Sequence, residues 1–266
     1  LKIPGSATRL VTRDDQRDVA RLDETFALLN ADGAAVIVGG TDEAEADALA
    51  AYGERTKLPV LLLRPPRRAV SGDGSVFVLG PAPRDVRMAM LEGSGASRAG
   101  LLLGDRDGTD VLGRDTRVAA IQQCGASLDF LRTSGADALL VDGSPECNGV
   151  AAAATVPVVV GLEGPRLSGA KTLVAGALHG ESELASVQAW RDKHGSPPGL
   201  WQGLGYDAGV LVAEAVGVRS NAPEDSHQRR QLIIGLIAAR RAELWTTEKR
   251  GIEGGRVRTR QRVLRD

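Results

Sequence analysis

Short, wholly apolar runs, each closed by glycine, proline or a polar turn and followed by an amphipathic stretch, recur along the chain and constrain its fold most strongly. Ala34-Ala35-Val36-Ile37-Val38 ends in Gly39-Gly40, Leu58 to Leu63 ends in Arg64-Pro65-Pro66, and Val76 to Leu79 is shorter still. Runs this short do not make helices, and runs without polar alternation have no solvent face, so each reads as a strand buried on both sides. Between them apolar residues return at helical spacing, as in Val19, Leu22, Phe26 and Leu29, or from Thr41, placed to cap, to about Lys57. Strands covered on both faces and separated by helices assemble as a parallel sheet.

The alternation continues to the end of the chain. It predicts an opening strand over Ala7 to Arg13 and a helix over 84–92. After the flexible break at Gly93-Ser94-Gly95 come a strand at 99–103, helices at about 116–124 and 128–134, and strands at 136–141, 156–160 and 172–177. A helix from Glu183 to about Lys193 leads to the turn-rich His194-Gly195-Ser196-Pro197-Pro198-Gly199. Helices over 205–216 and about 226–243 follow, then strands over Leu244 to Glu248 and Arg256 to Val263. Taken as crossings, the two breaks give an α/β fold of two lobes, each a mostly parallel sheet flanked by helices. Residues 1–96 plus 197–243 form lobe 1, and 97–196 plus 244–266 form lobe 2.

A formal net charge of -1 over 266 residues argues against a partner chosen by bulk electrostatics, so no nucleic acid is expected. The eight aromatics leave little material for stacking platforms. No apolar run approaches the roughly 20 residues that span a bilayer. The chain opens at Leu1 without a Met or an export segment, which reads as a processed or trimmed form and says nothing in favour of the cytoplasm.

Motifs for nucleotide, metal or nucleophilic chemistry are weak. Gly93-Ser94-Gly95 and Gly203-Leu204-Gly205 precede rather than follow a strand and do not complete a dinucleotide fingerprint. Asp105, Asp107 and Asp110 lack the glycine of a calcium loop at the required place, and read as a solvated acidic loop. His179, His194 and His227 read as surface residues, and no nucleophile elbow occurs. No cofactor is expected.

Parallel sheets bind ligands at the carboxyl ends of their strands, where helix N-termini offer N–H donors. Here those loops carry Asp14-Asp15, Gly39-Gly40-Thr41, Arg64-Pro65-Pro66, Gly104-Asp105 and Gly143-Ser144-Pro145-Glu146. Thr41 offers a hydroxyl and an N–H to a carboxylate, with plain helix capping as the alternative. Arg64 suits an anionic group, and Glu146 an ammonium group or the acidic first turn of a helix. Asp105 and Tyr206 complete the candidate ligand-binding set. Cys124, at the end of a predicted helix that spans about 13 Å, falls at the opposite end of its lobe from Cys147. Bridged Cα atoms lie roughly 4.4–6.8 Å apart, so the two are expected to stay unpaired. Arg256, Arg258, Arg260 and Arg262 alternate along the final strand and read as a solvated face.

Leu10-Val11-Thr12-Arg13-Asp14-Asp15, Ala35-Val36-Ile37-Val38-Gly39-Gly40 with its helix to Tyr52, Leu58-Pro59-Val60-Leu61, Gly135 to Val141 and Gly205-Tyr206-Asp207-Ala208 carry a family resemblance. In this order they resemble the type I periplasmic binding fold of the branched-chain amino-acid binding family. The resemblance implies an extracytoplasmic, non-enzymatic solute-binding protein of the periplasm or cell envelope. It implies a small polar ligand, an amino acid or related compound, in a cleft between hinged lobes, and an inner-membrane permease or cell-envelope protein as partner. Three departures accompany it. The chain starts at what resembles the second strand, so roughly 40 upstream residues, one strand-helix unit, are expected beyond it and some segment must fill the first strand's place. The Ser/Thr-rich loops that hold an amino acid's carboxylate are reduced to Thr41, with Arg64-Pro65-Pro66 replacing the other. A strand expected between the helices at 116–124 and 128–134 is missing. The depleted hydroxyl loops support a second expectation, a ligand-free interaction or regulatory module resembling lipoprotein activators of cell-wall synthases. An α/β enzyme would need a compact His/Asp/Ser or carboxylate cluster at the strand ends.

Overall fold

The computed structural model describes residues 9–15, 18–71, 74–104, 112, 115–142, 145–161, 168–175, 185–195, 198–217, 225–239, 244–245 and 261–264. Contacts divide the chain into two units, Leu1–Pro81 with Ser182–Thr259 and Ala82–Glu181 with Arg260–Asp266. No helix of the described residues is long and apolar enough to cross a membrane.

In the first unit, β1 (Ile37–Gly39), β2 (Val60–Leu62) and β3 (Val76–Val78) form a parallel sheet in the order β1-β2-β3. Helices α1 (Leu22–Ala31) and α2 (Glu43–Thr56) accompany it, with α6 (Ala185–His194), α7 (Leu200–Gly217) and α8 (Ser226–Ala239) from later in the chain. The runs are apolar throughout because successive side chains go to opposite, equally covered faces. Val60, Leu62, Val76 and Val78 pack with Phe26, Leu49 and Tyr52, whereas Leu61 and Phe77 pack with Leu204, Leu211, Ile233 and Ile237. Helix α7 starts at Leu200, five residues before the sequence pattern places it, and presents Leu204, Ala208, Leu211 and Ala215 to the sheet.

The second unit holds a six-stranded sheet in the order β5-β4-β6-β7-β8-β9. Its strands are β4 (Ala99–Leu103), β5 (Val118–Gln123), β6 (Ala138–Asp142), β7 (Val158–Val160), β8 (Lys171–Ala175) and β9 (Gln261–Leu264), and only β9 is antiparallel to its neighbour. Helix α3 (Pro83–Ser94) covers one face through Val86, Met90 and Leu91 against Leu101, Leu103 and Leu140. Helices α4 (Asp129–Ser134) and α5 (Pro145–Ala151) accompany the other, where Phe130, Leu131 and Cys147 meet Leu102, Leu139 and Val141.

Several sequence expectations are corrected here. The helix expected at 116–124 is strand β5, parallel to β4, which also supplies the strand that seemed to be missing. Residues 9–13 carry only an isolated bridge at Arg9 and make no strand. Leu244 and Trp245 lie outside any strand, and the arginine stripe falls outside the described residues except for Arg262 in β9.

Just before β5, Asp115 accepts hydrogen bonds from the side chain (2.8 and 3.0 Å) and backbone N–H (3.0 Å) of Arg117. These hold its carboxyl down from 3.8 to about 2. A folded-state value below the unfolded one means that the pair stabilises the fold above pH ~4, with the benefit lost as pH falls through about 2. An NMR titration of the Asp115 carboxyl should therefore find it ionised at pH 3, and Arg117→Ala should return its midpoint toward the ordinary carboxylate range.

Candidate functional site

The carboxyl ends of β1 and β2 place Thr41 and Arg64. Thr41 follows Gly39-Gly40, but it does not cap the next helix. Asp42 is the N-cap of α2, its carboxylate accepting from the Glu45 N–H at 2.8 Å. Glu45 reaches back in turn, and its Oε2 accepts both the Thr41 N–H and the Thr41 hydroxyl, each at 2.8 Å. This is the reciprocal pattern of a capping box, shifted one residue outward. Its consequence is chemical. The positive end of the α2 dipole and both Thr41 donors are engaged by the chain's own carboxylates, so an incoming carboxylate meets Asp42 and Glu45 before it meets a donor. The spacing Asp42-x-x-Glu45 was the sequence signal for this arrangement.

Half-buried Arg64 lies with its guanidinium over the ring of Trp201, 5.9 Å from the centroid, in the first turn of α7. The face of an indole favours a cation there. Tyr206, on the same helix, stacks flat on Trp245, with ring centroids 3.9 Å apart and planes 9° apart. Fully buried Asp207 accepts the Trp245 N–H at 2.6 Å, and the Trp245 indole N–H donates to Ser186 at 2.8 Å. Trp190 meets Trp245 edge-on at 5.9 Å. The Gly205-Tyr206-Asp207-Ala208 phrase thus anchors Trp245, and one face of the Tyr206 ring is already covered.

In the second unit, Asp105 lies outside the described residues, and Glu146 falls in the first turn of α5 with its side chain outside the description. Asp142, the last residue of β6, is paired with the buried Arg87 of α3, whose Nε donates to it at 2.6 Å. Cys124 and Cys147 form a disulfide, with Cα atoms 4.8 Å apart, which corrects the expectation that they stay free. The reason is the strand identity of β5. Cys124 lies directly after it, its N–H bonded to the carbonyl of Leu103 at the end of β4, and so shares an edge with the helix that follows β6. The bridge fastens the carboxyl end of an edge strand to α5. Among the described residues no group of three or more His, Cys, Asp or Glu is placed to hold a metal ion.

No family model matches this sequence, and no curated protein resembles it in sequence. Solved structures do resemble it. An ABC transporter substrate-binding protein from Desulfitobacterium hafniense aligns over 97% of this chain and 86% of its own, with a TM-score of 0.71 and 16% identity. A branched-chain amino acid transporter substrate-binding protein from Streptococcus pneumoniae, in complex with isoleucine, aligns over 96% and 87%, with a TM-score of 0.65 and 14% identity. A solute-binding protein from R. palustris in complex with benzoate covers 90% of this chain and 76% of its own, with a TM-score of 0.63 and 17% identity. The chain has the type I periplasmic binding protein fold that these substrate-binding proteins share.

Proposed function

We propose that this chain is an extracytoplasmic solute-binding protein of the ABC-transporter type, not an enzyme, which takes a small polar ligand at the carboxyl ends of its parallel strands. The observation that carries the reading is the likeness, over nearly the whole chain, to substrate-binding proteins of such transporters. The Cys124–Cys147 disulfide supports a location in an oxidising compartment. The ligand is an amino acid or a related compound, delivered to an inner-membrane permease. Its anionic group pairs with Arg64, and a cationic group suits the Glu45 carboxylate. Thr41 then acts through Glu45 rather than as a direct donor. Asp105, Glu146 and Tyr206 remain proposed ligand-binding residues.

The engagement of both Thr41 donors favours a second reading, a cell-envelope interaction module that takes no solute. Thermal unfolding against amino acids, short peptides and benzoate, with native mass spectrometry of protein from its own host, separates the two. A ligand at a hundred times its Kd adds about 2.7 kcal/mol of stability, a rise of several degrees. Arg64→Ala should abolish that rise for an anionic ligand, while Glu45→Gln should weaken an amino acid and spare benzoate. A ligand-free mass and no shift across the panel would leave the interaction module standing.

A further inference from the structure

Residues 63–75 connect the parallel strands β2 and β3, a crossing usually made by a helix. Its described residues, 63–71 and 74–75, contain no helix, and the loop is held along one face of α2 instead. Glu43, Asp47 and Glu54 follow one another on that helix at spacings of four and seven, which sets the three carboxylates within about 40° of each other around its axis. Asp47 accepts the Arg67 N–H at 2.9 Å and the Arg68 N–H at 3.4 Å, and Glu54 accepts the Ser71 N–H at 2.6 Å. The side chains of Arg67 and Arg68 pair with Glu43 and Glu54. Both arginines are exposed, and ion pairs of that kind contribute little, so the bonds to backbone N–H groups carry the hold. Val70 and Ala48 both pack against the cluster of Leu49, Tyr52 and Val60.

We infer that Asp47 and Glu54 are positioning residues for Arg64: by strapping the following loop to α2 they fix the guanidinium over Trp201, ready for an anionic group. This rests on the reading of Arg64 as the contact for an anionic ligand. The Leu63 N–H still donates to Gly39 at 2.8 Å, but Arg64 follows where the strand has ended. Pro65 and Pro66 then fix two successive φ angles, and a residue before proline is itself confined to extended backbone. The segment from Arg64 to Arg67 is therefore stiff, and buried Pro66 seats it. A clamp on the Arg67 and Arg68 N–H groups consequently sets where Arg64 stands. An arginine held in this way has given up conformational freedom before an anion arrives, which is the condition for a tight contact.

The test compares Asp47→Ala, Asp47→Asn and Pro65→Gly in the whole chain by NMR. The first removes the acceptor, the second keeps an oxygen for both N–H groups, and the third loosens the link while leaving the clamp. Amide exchange at Arg67 and Arg68 should speed up at least about tenfold in Asp47→Ala alone. The upfield shift that the Trp201 ring imposes on the Arg64 side-chain protons should be largely lost in Asp47→Ala and Pro65→Gly and kept in Asp47→Asn. Exchange in β2 reports whether the fold is kept, and Pro65→Gly decides alone where Asp47→Ala does not keep it. Faster exchange at Arg67 and Arg68 beside an unchanged Arg64 shift would overturn the proposal, as would unchanged exchange in Asp47→Ala. The dissociation constant of benzoate, the anionic probe, should rise at least about fivefold in Asp47→Ala and stay level in Asp47→Asn. Equal benzoate affinity despite a lost Arg64 shift would also overturn the positioning role. No benzoate binding by the unmodified chain, with the Arg64 shift still dependent on Asp47, would overturn the anion contact and uphold the strap, so the two failures are distinct.

Discussion

Replacing Cys124 and Cys147 together should lower the stability of the second unit by about 3 kcal/mol, the loop-closure term for a bridge joining residues 23 apart. The loss should not be spread evenly. Strand β5 is the half-buried edge of its sheet and is paired on one side, to β4. The bridge fastens the end of that strand to α5, whereas β4 and β6 are held by neighbours on both edges. Amide exchange along Val118–Gln123 should therefore accelerate most, with β4 and β6 following only through global unfolding. Cys147 also packs among Leu102, Leu139 and Val141, so serine there would add the cost of burying a hydroxyl. The cleaner variant is Cys124→Ser with Cys147→Ala, and mild reduction of the unmodified chain should reproduce its exchange pattern. Unchanged exchange in β5 after reduction would show that the bridge joins two segments already fixed by packing.

The same strand shows where the sequence was legible and where it was not. Strands β2, β3, β4 and β6 lie inside their sheets or under helices on both faces, and their apolar runs announced them. Strand β5 has neither full burial nor regular alternation. A bulge against β4 sets Ala99 opposite Val118 but Gly100 opposite Ala120, which absorbs one residue and reverses the side-chain parity. Val118 and Ile121 then pack on one face, while Ala120 and Cys124 pack on the other. Spacings of three and four are those of a helix, so the bulge wrote a helical pattern into a strand. The cysteine expectation failed with it, since it rested on a helix separating Cys124 from the strand ends. The capping role expected of Thr41 fell to Asp42 for a different reason. Its place after a strand was legible, yet its partner depended on a competition between two carboxylates, Asp42 and Glu45, for the same group of N–H donors. The packing role of the α7 phrase was legible from its apolar spacing, whereas the Tyr206 stack on Trp245, 39 residues away in sequence, left no local trace.

Gly80→Ala should cost roughly 3 kcal/mol or more, at a position where the backbone itself is unstrained. A Cβ there would lie 2.1 Å from the carbonyl oxygen of Leu63, 2.8 Å from its carbon and 3.1 Å from the Cα of Arg64. These neighbours are main chain, which cannot turn aside as a side-chain tip can. They are held in place because Leu63 N–H donates to Gly39 and Leu79 N–H donates to Leu62, both at 2.8 Å, where the three strands end together. The methyl group must therefore break the close approach of β3 to β2, and the segment it displaces carries Arg64 away from the Trp201 ring. Thermal unfolding reads the first effect and Trp201 fluorescence the second. Gly205→Ala is the matched control: it sits inside α7, its added Cβ meets nothing within 4 Å, and alanine should stabilise the helix by up to about 1 kcal/mol. A Gly80→Ala protein as stable as this control would mean that the end of β2 yields freely, and the fixed placement of Arg64 on which its proposed ligand contact depends would fall with it.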